Sequence, residues 1–155
     1  MTHKTFFSLL ALTLCFCIVG CQSSEQVVSD AVKSLNLLCP FGTADHDTIE
    51  KVEYINHDVI FYVTIDETNY SLDDYTYAQL RGLESNYALR FKTMGYYLND
   101  MHTEIAFQKV TLSNADEVDL NFKAILKGRQ SNKELTFKLP WREALQIPNL
   151  RILNH

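Results

Sequence analysis

The strongest constraint on this chain is a stretch of strict two-residue alternation toward its C-terminal end. Val118, Leu120, Phe122, Ala124 and Leu126 take turns with Asp119, Asn121 and Lys123. Successive side chains of an extended chain point to opposite faces, so the pattern demands a strand with one side in a core and the other in water. A second alternating run, Leu135, Phe137 and Leu139, follows through Gly128-Arg129-Gln130-Ser131-Asn132, which predicts an antiparallel hairpin. The same argument applies earlier. Val52 and Tyr54 alternate with Lys51 and Glu53, Asn56-His57-Asp58 interrupts, and Val59, Phe61, Val63 and Ile65 resume on one face.

Sheets with one apolar face need a cover, and two helical patterns supply it. Val28, Ala31, Val32, Leu35 and Leu38 recur at intervals of three and four, ending before Cys39-Pro40, where proline disfavours helical geometry in its predecessor. Leu80, Leu83, Tyr87, Phe91, Met94 and Leu98 do the same over a longer stretch, from about Leu72 to Leu98, with Ser71 and Asp73-Asp74 suited to its start. Gly82 and Gly95 weaken that helix by about 1 kcal/mol each relative to alanine, and Gly95 is a candidate for its end. A further strand is expected around Ile105 to Leu112, and one or two helical turns after Pro140. The fold class predicted is α+β: an antiparallel sheet of about five strands with a long helix and a short N-terminal helix packed on one face.

The N-terminal residues are of another kind. Met1 to Thr5 carry one base, Lys4, and no acid, and an apolar run from Phe6 to Val19 follows. This is the pattern of a secretory signal, shorter than the roughly 20 apolar residues that span a bilayer comfortably. The run closes in Ile18-Val19-Gly20-Cys21, which resembles the lipobox of bacterial lipoproteins. The resemblance implies cleavage after Gly20 and diacylglyceryl attachment to the Cys21 thiol, with further acylation of the new amino terminus. A thiolate suits this chemistry because it is strongly nucleophilic and forms a stable thioether. Two or three acyl chains, at about 0.8 kcal/mol per buried methylene, tether a protein stably where one chain holds only marginally. Gln22 rather than Asp after the cysteine points to the outer rather than the inner membrane, by the sorting rule of enterobacterial lipoproteins. The segment from Leu35 to Asp66, with Leu-Cys-Pro and then Val52-Glu53-Tyr54 and Val59-Ile60-Phe61-Tyr62-Val63, is similar to small exported lipoproteins of Gram-negative bacteria, especially Bacteroidetes types. The division expected is 1–20 signal peptide, 21–30 lipidated tether, 31–147 a single α+β domain and 148–155 a C-terminal tail.

Of 14 basic and 19 acidic residues only Lys4 precedes Cys21, leaving 13 against 19 and a formal charge of −6. Nucleic-acid binding draws its affinity from cations on phosphates, so no nucleic-acid partner is expected. Lys123, Lys127, Arg129 and Lys133 cluster around a hairpin and read as a solvated edge. With Cys21 acylated, Cys39 is the one cysteine left, so no internal disulfide can form and a buried, inert thiol is expected.

No phosphate loop, CxxC, HExxH, GxSxG or SxxK motif occurs after Cys21. Asp45, His46 and Asp47 are consecutive and suit a turn better than a metal site, and no metal or cofactor is expected. Glu50, Glu53, Asp66 and Glu67 could supply a glycosidase pair only at particular separations. The tyrosines at 70, 75, 77, 87, 96 and 97 invite an aromatic binding platform, against an ordinary packing role. His46, His57 and His102 have no local partner that assigns them a role. The function expected is a membrane-anchored envelope lipoprotein, held in the bilayer through Cys21, non-catalytic, and binding an envelope protein through its sheet or tyrosines. The alternatives are a periplasmic inhibitor or immunity lipoprotein that plugs a cleft with the Phe41 to Asp47 loop, and a small cell-wall hydrolase.

Overall fold

Helix α1, Ser24–Asn36, begins where Ser23 stops being helical and its hydroxyl accepts from the amide of Gln26 at 3.2 Å. Its buried face is Ser24, Val28, Ala31, Val32 and Leu35: the predicted stripe gains Ser24 one turn earlier and loses Leu38, which lies beyond the helix and is 49 % exposed. The computed structural model describes residues 22–43, 46–68, 71–72, 83–147 and 150–152. The expected tether of residues 21–30 is thereby corrected: an N-cap and a buried Ser24 and Val28 make all but its first residues part of the folded domain. The helix stops before a cis Cys39–Pro40 peptide.

Five strands follow as one open sheet in chain order: β1 Phe41–Gly42, β2 Thr48–Ile55, β3 Asp58–Ile65, β4 Asn121–Gly128 and β5 Glu134–Pro140. Both predicted hairpins are present, β2 with β3 and β4 with β5. The first turns through Asn56 and His57, both at positive φ (50° and 68°), a two-residue turn whose twist matches the strands it joins.

One joint differs from the expectation of an all-antiparallel sheet. Strand β3 pairs with β4 in parallel, from Asp58 beside Asn121 to Ile65 beside Gly128. The reason lies in residues 101–117, where the strand expected near Ile105 to Leu112 is helical. Asp100 caps helix α3, Met101–Phe107, by accepting from the amide of His102 at 2.9 Å, and Thr111 with Asn114 forms a reciprocal capping box at helix α4, Leu112–Glu117. These caps outweigh the ambiguous alternation of Ile105, Phe107 and Val110. With no strand in between, the chain leaves one end of β3 and must return to the other end of the sheet to begin β4, which makes the pair parallel.

Helix α2, Leu83–Leu98, carries the described part of the long helix; the expectation for residues 73–82 lies outside the described residues. Gly95 does not end it. A Cβ there would sit 2.5 Å from Ile147 Cγ2, so the glycine lets the C-terminal segment press against the helix. A last short helix, α5, Trp141–Ala144, follows β5, and Leu150 and Ile152 are buried, so this part of the expected tail belongs to the core. Helices α1, α2 and α5 lie against the face that carries Val52, Phe61, Val63, Phe122, Leu126 and Phe137. No helix among the described residues is long and apolar enough to cross a membrane.

Candidate interaction surface

The other face of the sheet is assembled by register alone. Across β2 to β5 its rows read Ile55, Asp58, Asn121, Pro140, then Glu53, Ile60, Lys123, Lys138, then Lys51, Tyr62, Ile125, Thr136, then Thr48, Thr64, Lys127, Glu134. The middle is apolar, Ile60 with Tyr62 and Ile125, and the surround is charged. Ile60, at the centre of this face, is only 7 % exposed.

The surround is partly paired. Lys51 lies 3.1 Å from Glu53 and its ammonium sits 4.1 Å above the Tyr62 ring. Hydrogen bonding to Glu53 raises the Tyr62 phenol above its ordinary range, and the same bond, with Lys51, lowers the Glu53 carboxyl. Lys138 reaches Asp58 at 2.7 Å and 3.0 Å. Lys123 and Lys127 are different: neither forms an ion pair among the described residues. A chain that is acidic as a whole thus presents four lysines against three acids on this face. Lys123 and Lys127 were expected on an edge; strand β4 is flanked by β3 and β5, so they stand in the middle of the sheet.

The two ends of the sheet are locked by polar contacts. At the end where β3 begins, the Ser24 hydroxyl donates to Glu117 at 2.6 Å and accepts from the Asn114 side chain at 3.0 Å, joining α1 to α4. Beside them, His57 bonds through Nδ1 to the Val118 carbonyl, and its Nε2 is 4.0 Å from Glu25. Burial, with the Glu25 carboxylate, holds the Tyr54 phenol well above its ordinary range.

At the opposite end Glu67 accepts from the amides of Gln130 at 2.9 Å, Ser131 at 2.7 Å and Leu72 at 3.0 Å, and from the Ser131 hydroxyl at 2.9 Å. These donors, the Ser131 amide foremost, hold the carboxyl down to about 2. Gly128 makes room for it: a Cβ there would lie 2.6 Å from Glu67 Oε2. Arg129 reaches Asp66 at 3.5 Å, and the hydroxyl and amide of Thr68 hold the Asp66 carboxyl below its ordinary range.

The other residues singled out in the sequence do not converge. Glu50 is the extra residue of a bulge in β2, Glu53 belongs to the open face, and Asp66 and Glu67 sit at the far end in the contacts just given. His102 packs edge-on to Phe41 at 4.7 Å, far along the chain from His57 at its turn. In the segment expected as a plug, Phe41 and Gly42 lie in β1 and the Thr43 amide donates to the Asp47 carbonyl at 2.8 Å; Ala44 and Asp45 lie outside the described residues. Tyr97 is buried and Tyr96 half-buried, with their rings 5.4 Å apart, while Tyr70, Tyr75, Tyr77 and the Tyr87 side chain lie outside the described residues. Burial raises the Cys39 thiol, with Glu50 acting in the same sense. Among the described residues no group of histidine, cysteine or acidic side chains could hold a metal. Among the described residues Tyr62 is the tyrosine that reaches the open face, and its signal was available in the alternation of β3: it falls between Phe61 and Val63, which point inward.

No protein-family model matches the chain, and no curated protein matches it. Among solved structures it is similar to the crystal structure of a protein of Pseudomonas aeruginosa described as a "putative secreted protein", with 9% sequence identity and a TM-score of 0.44, over 78% of this chain and 91% of that one.

Proposed function

We propose that the protein is an exported lipoprotein of the cell envelope, anchored through acyl chains on Cys21, that acts without catalysis by docking an acidic protein partner on the open face of its sheet. The observation that carries this reading is the face itself. It combines an apolar centre, buried Ile60 with the partly exposed Tyr62 and Ile125, with a lysine-rich surround in which Lys123 and Lys127 form no ion pair among the described residues. An apolar centre within a polar rim is the usual anatomy of a protein interface, and unpaired lysines select an acidic counterpart by charge complementarity. The Ile18-Val19-Gly20-Cys21 motif supports export and anchoring, and favours the outer membrane through Gln22.

A photo-crosslinking residue at Ile125, compared with one at Ile105, tests the docking face in intact cells. Ile105 is apolar and 55% exposed on α3 but lacks the lysine surround. A discrete adduct at Ile125 and none at Ile105 supports the reading. Adducts at Ile105 alone, or at neither site, overturn it.

A further inference from the structure

The point at which the chain enters the fold fixes how the domain stands on its membrane. Three residue steps separate Cys21 from Ser24, a span of at most about 11 Å when fully extended. The first turn of α1 cannot swing away to lengthen that span. Ser24 is buried and joined to Glu117 and Asn114 on α4, Glu25 lies beside His57 on the β2–β3 turn, and Val28 follows in the core. An anchor at Cys21 therefore acts on one end of the sheet: the end where β3 and β4 begin, together with α4 and the Asn56-His57 turn.

The opposite end is remote. Strands β3 and β4 run side by side for eight residues, about 26 Å, from Asp58 and Asn121 to Ile65 and Gly128. Beyond them lie the β4–β5 turn and the Glu67 contacts. The near end is acidic, with Glu25, Asp116, Glu117 and Asp119, while Arg142 is engaged by Asp116. Anionic headgroups do not draw such an end inward, so the short span from Cys21 alone keeps it at the bilayer surface.

From these constraints we infer that the domain stands on end, with α4 and the Asn56-His57 turn against the lipid headgroups and the β4–β5 turn about 26 Å further out. This rests on the reading of Cys21 as the lipidated residue. Its consequence is that the open face, which runs from one end to the other, rises beside the membrane and stays open to a partner in the aqueous compartment.

Full-length protein processed in cells, with Cys39 replaced by serine and one reporter cysteine added, provides the test. Ser113→Cys lies on α4 and Glu134→Cys at the start of β5; both positions are exposed. The reporter is labelled with a fluorophore, and the protein is placed in phosphatidylcholine–phosphatidylglycerol vesicles that carry a headgroup nitroxide quencher. Mass spectrometry of the N-terminal peptide and co-flotation with vesicles report the anchor independently. The expected result is an acylated, co-floating protein whose label is quenched at least about threefold more at 113 than at 134, because contact quenching fades well within 26 Å. Equal or reversed quenching in a protein that is acylated and floats overturns the orientation while the anchor stands. A protein without acyl chains on Cys21 overturns the anchor, and the orientation with it.

Discussion

Phe61 and Tyr62 are neighbours in β3, yet their surroundings share almost nothing. Phe61 is fully buried against the helices, alongside Val52 and Ala124 on the adjoining strands. Tyr62 looks the other way, under the Lys51 ammonium and beside Ile125. The difference teaches how the sheet divides its work: the covered face supplies cohesion, and the open face keeps an apolar centre within a charged surround.

Substitutions at these neighbours separate the two roles most sharply. Phe61→Ala, which opens a cavity in the covered face, should lower unfolding free energy by about 3–5 kcal/mol in urea titrations. Tyr62→Ala removes a half-exposed ring and should cost about 1 kcal/mol or less. Comparable losses would mean that the open face is part of the core.

The end of the sheet at Gly128 is expected next in size. Gly128→Ala forces Glu67 or Ser131 to move, and overpacking of this kind costs about 1–3 kcal/mol. A melting temperature equal to wild type would show that the Glu67 contacts do not hold the two hairpins together. The same contacts predict a pH signature. Glu67 has a folded-state value near 2 against an ordinary 4.5, so its contribution is complete above pH 4.5 and lost as pH falls toward 2. Glu67→Gln should therefore lower the melting temperature at pH 6, and the gap to wild type should close below pH 4.5. A gap independent of pH would remove the carboxylate from the account.

Much of the fold was legible because apolar spacing is local. The alternation of Phe122, Ala124 and Leu126 and of Phe137 and Leu139 fixed which side chains enter the core, and the stripe Val28, Val32, Leu35 placed the first helix. What escaped depends on contacts between distant segments. Residues 105–112 carry alternation and helical spacing together, and the caps at Asp100 and Thr111 decide between them. That choice also sets the parallel joint of β3 with β4. Gly95 looks like a helix terminator until Ile147 is seen against it. The open face was hidden for a similar reason: Tyr62, Ile125 and Lys123 meet only through register across β3 and β4, and no local pattern in either strand announces the meeting.

The charge reversal Lys123→Glu with Lys127→Glu, read as crosslink yield at Ile125 and as melting temperature on the same protein, tests the division of the sheet most directly. Neither lysine has an ion pair among the described residues to lose. The account predicts a melting temperature within about 2 °C of wild type, as expected for surface changes worth less than about 0.5 kcal/mol, together with loss of the adduct. An adduct that persists at wild-type yield in a fully folded variant would contradict it.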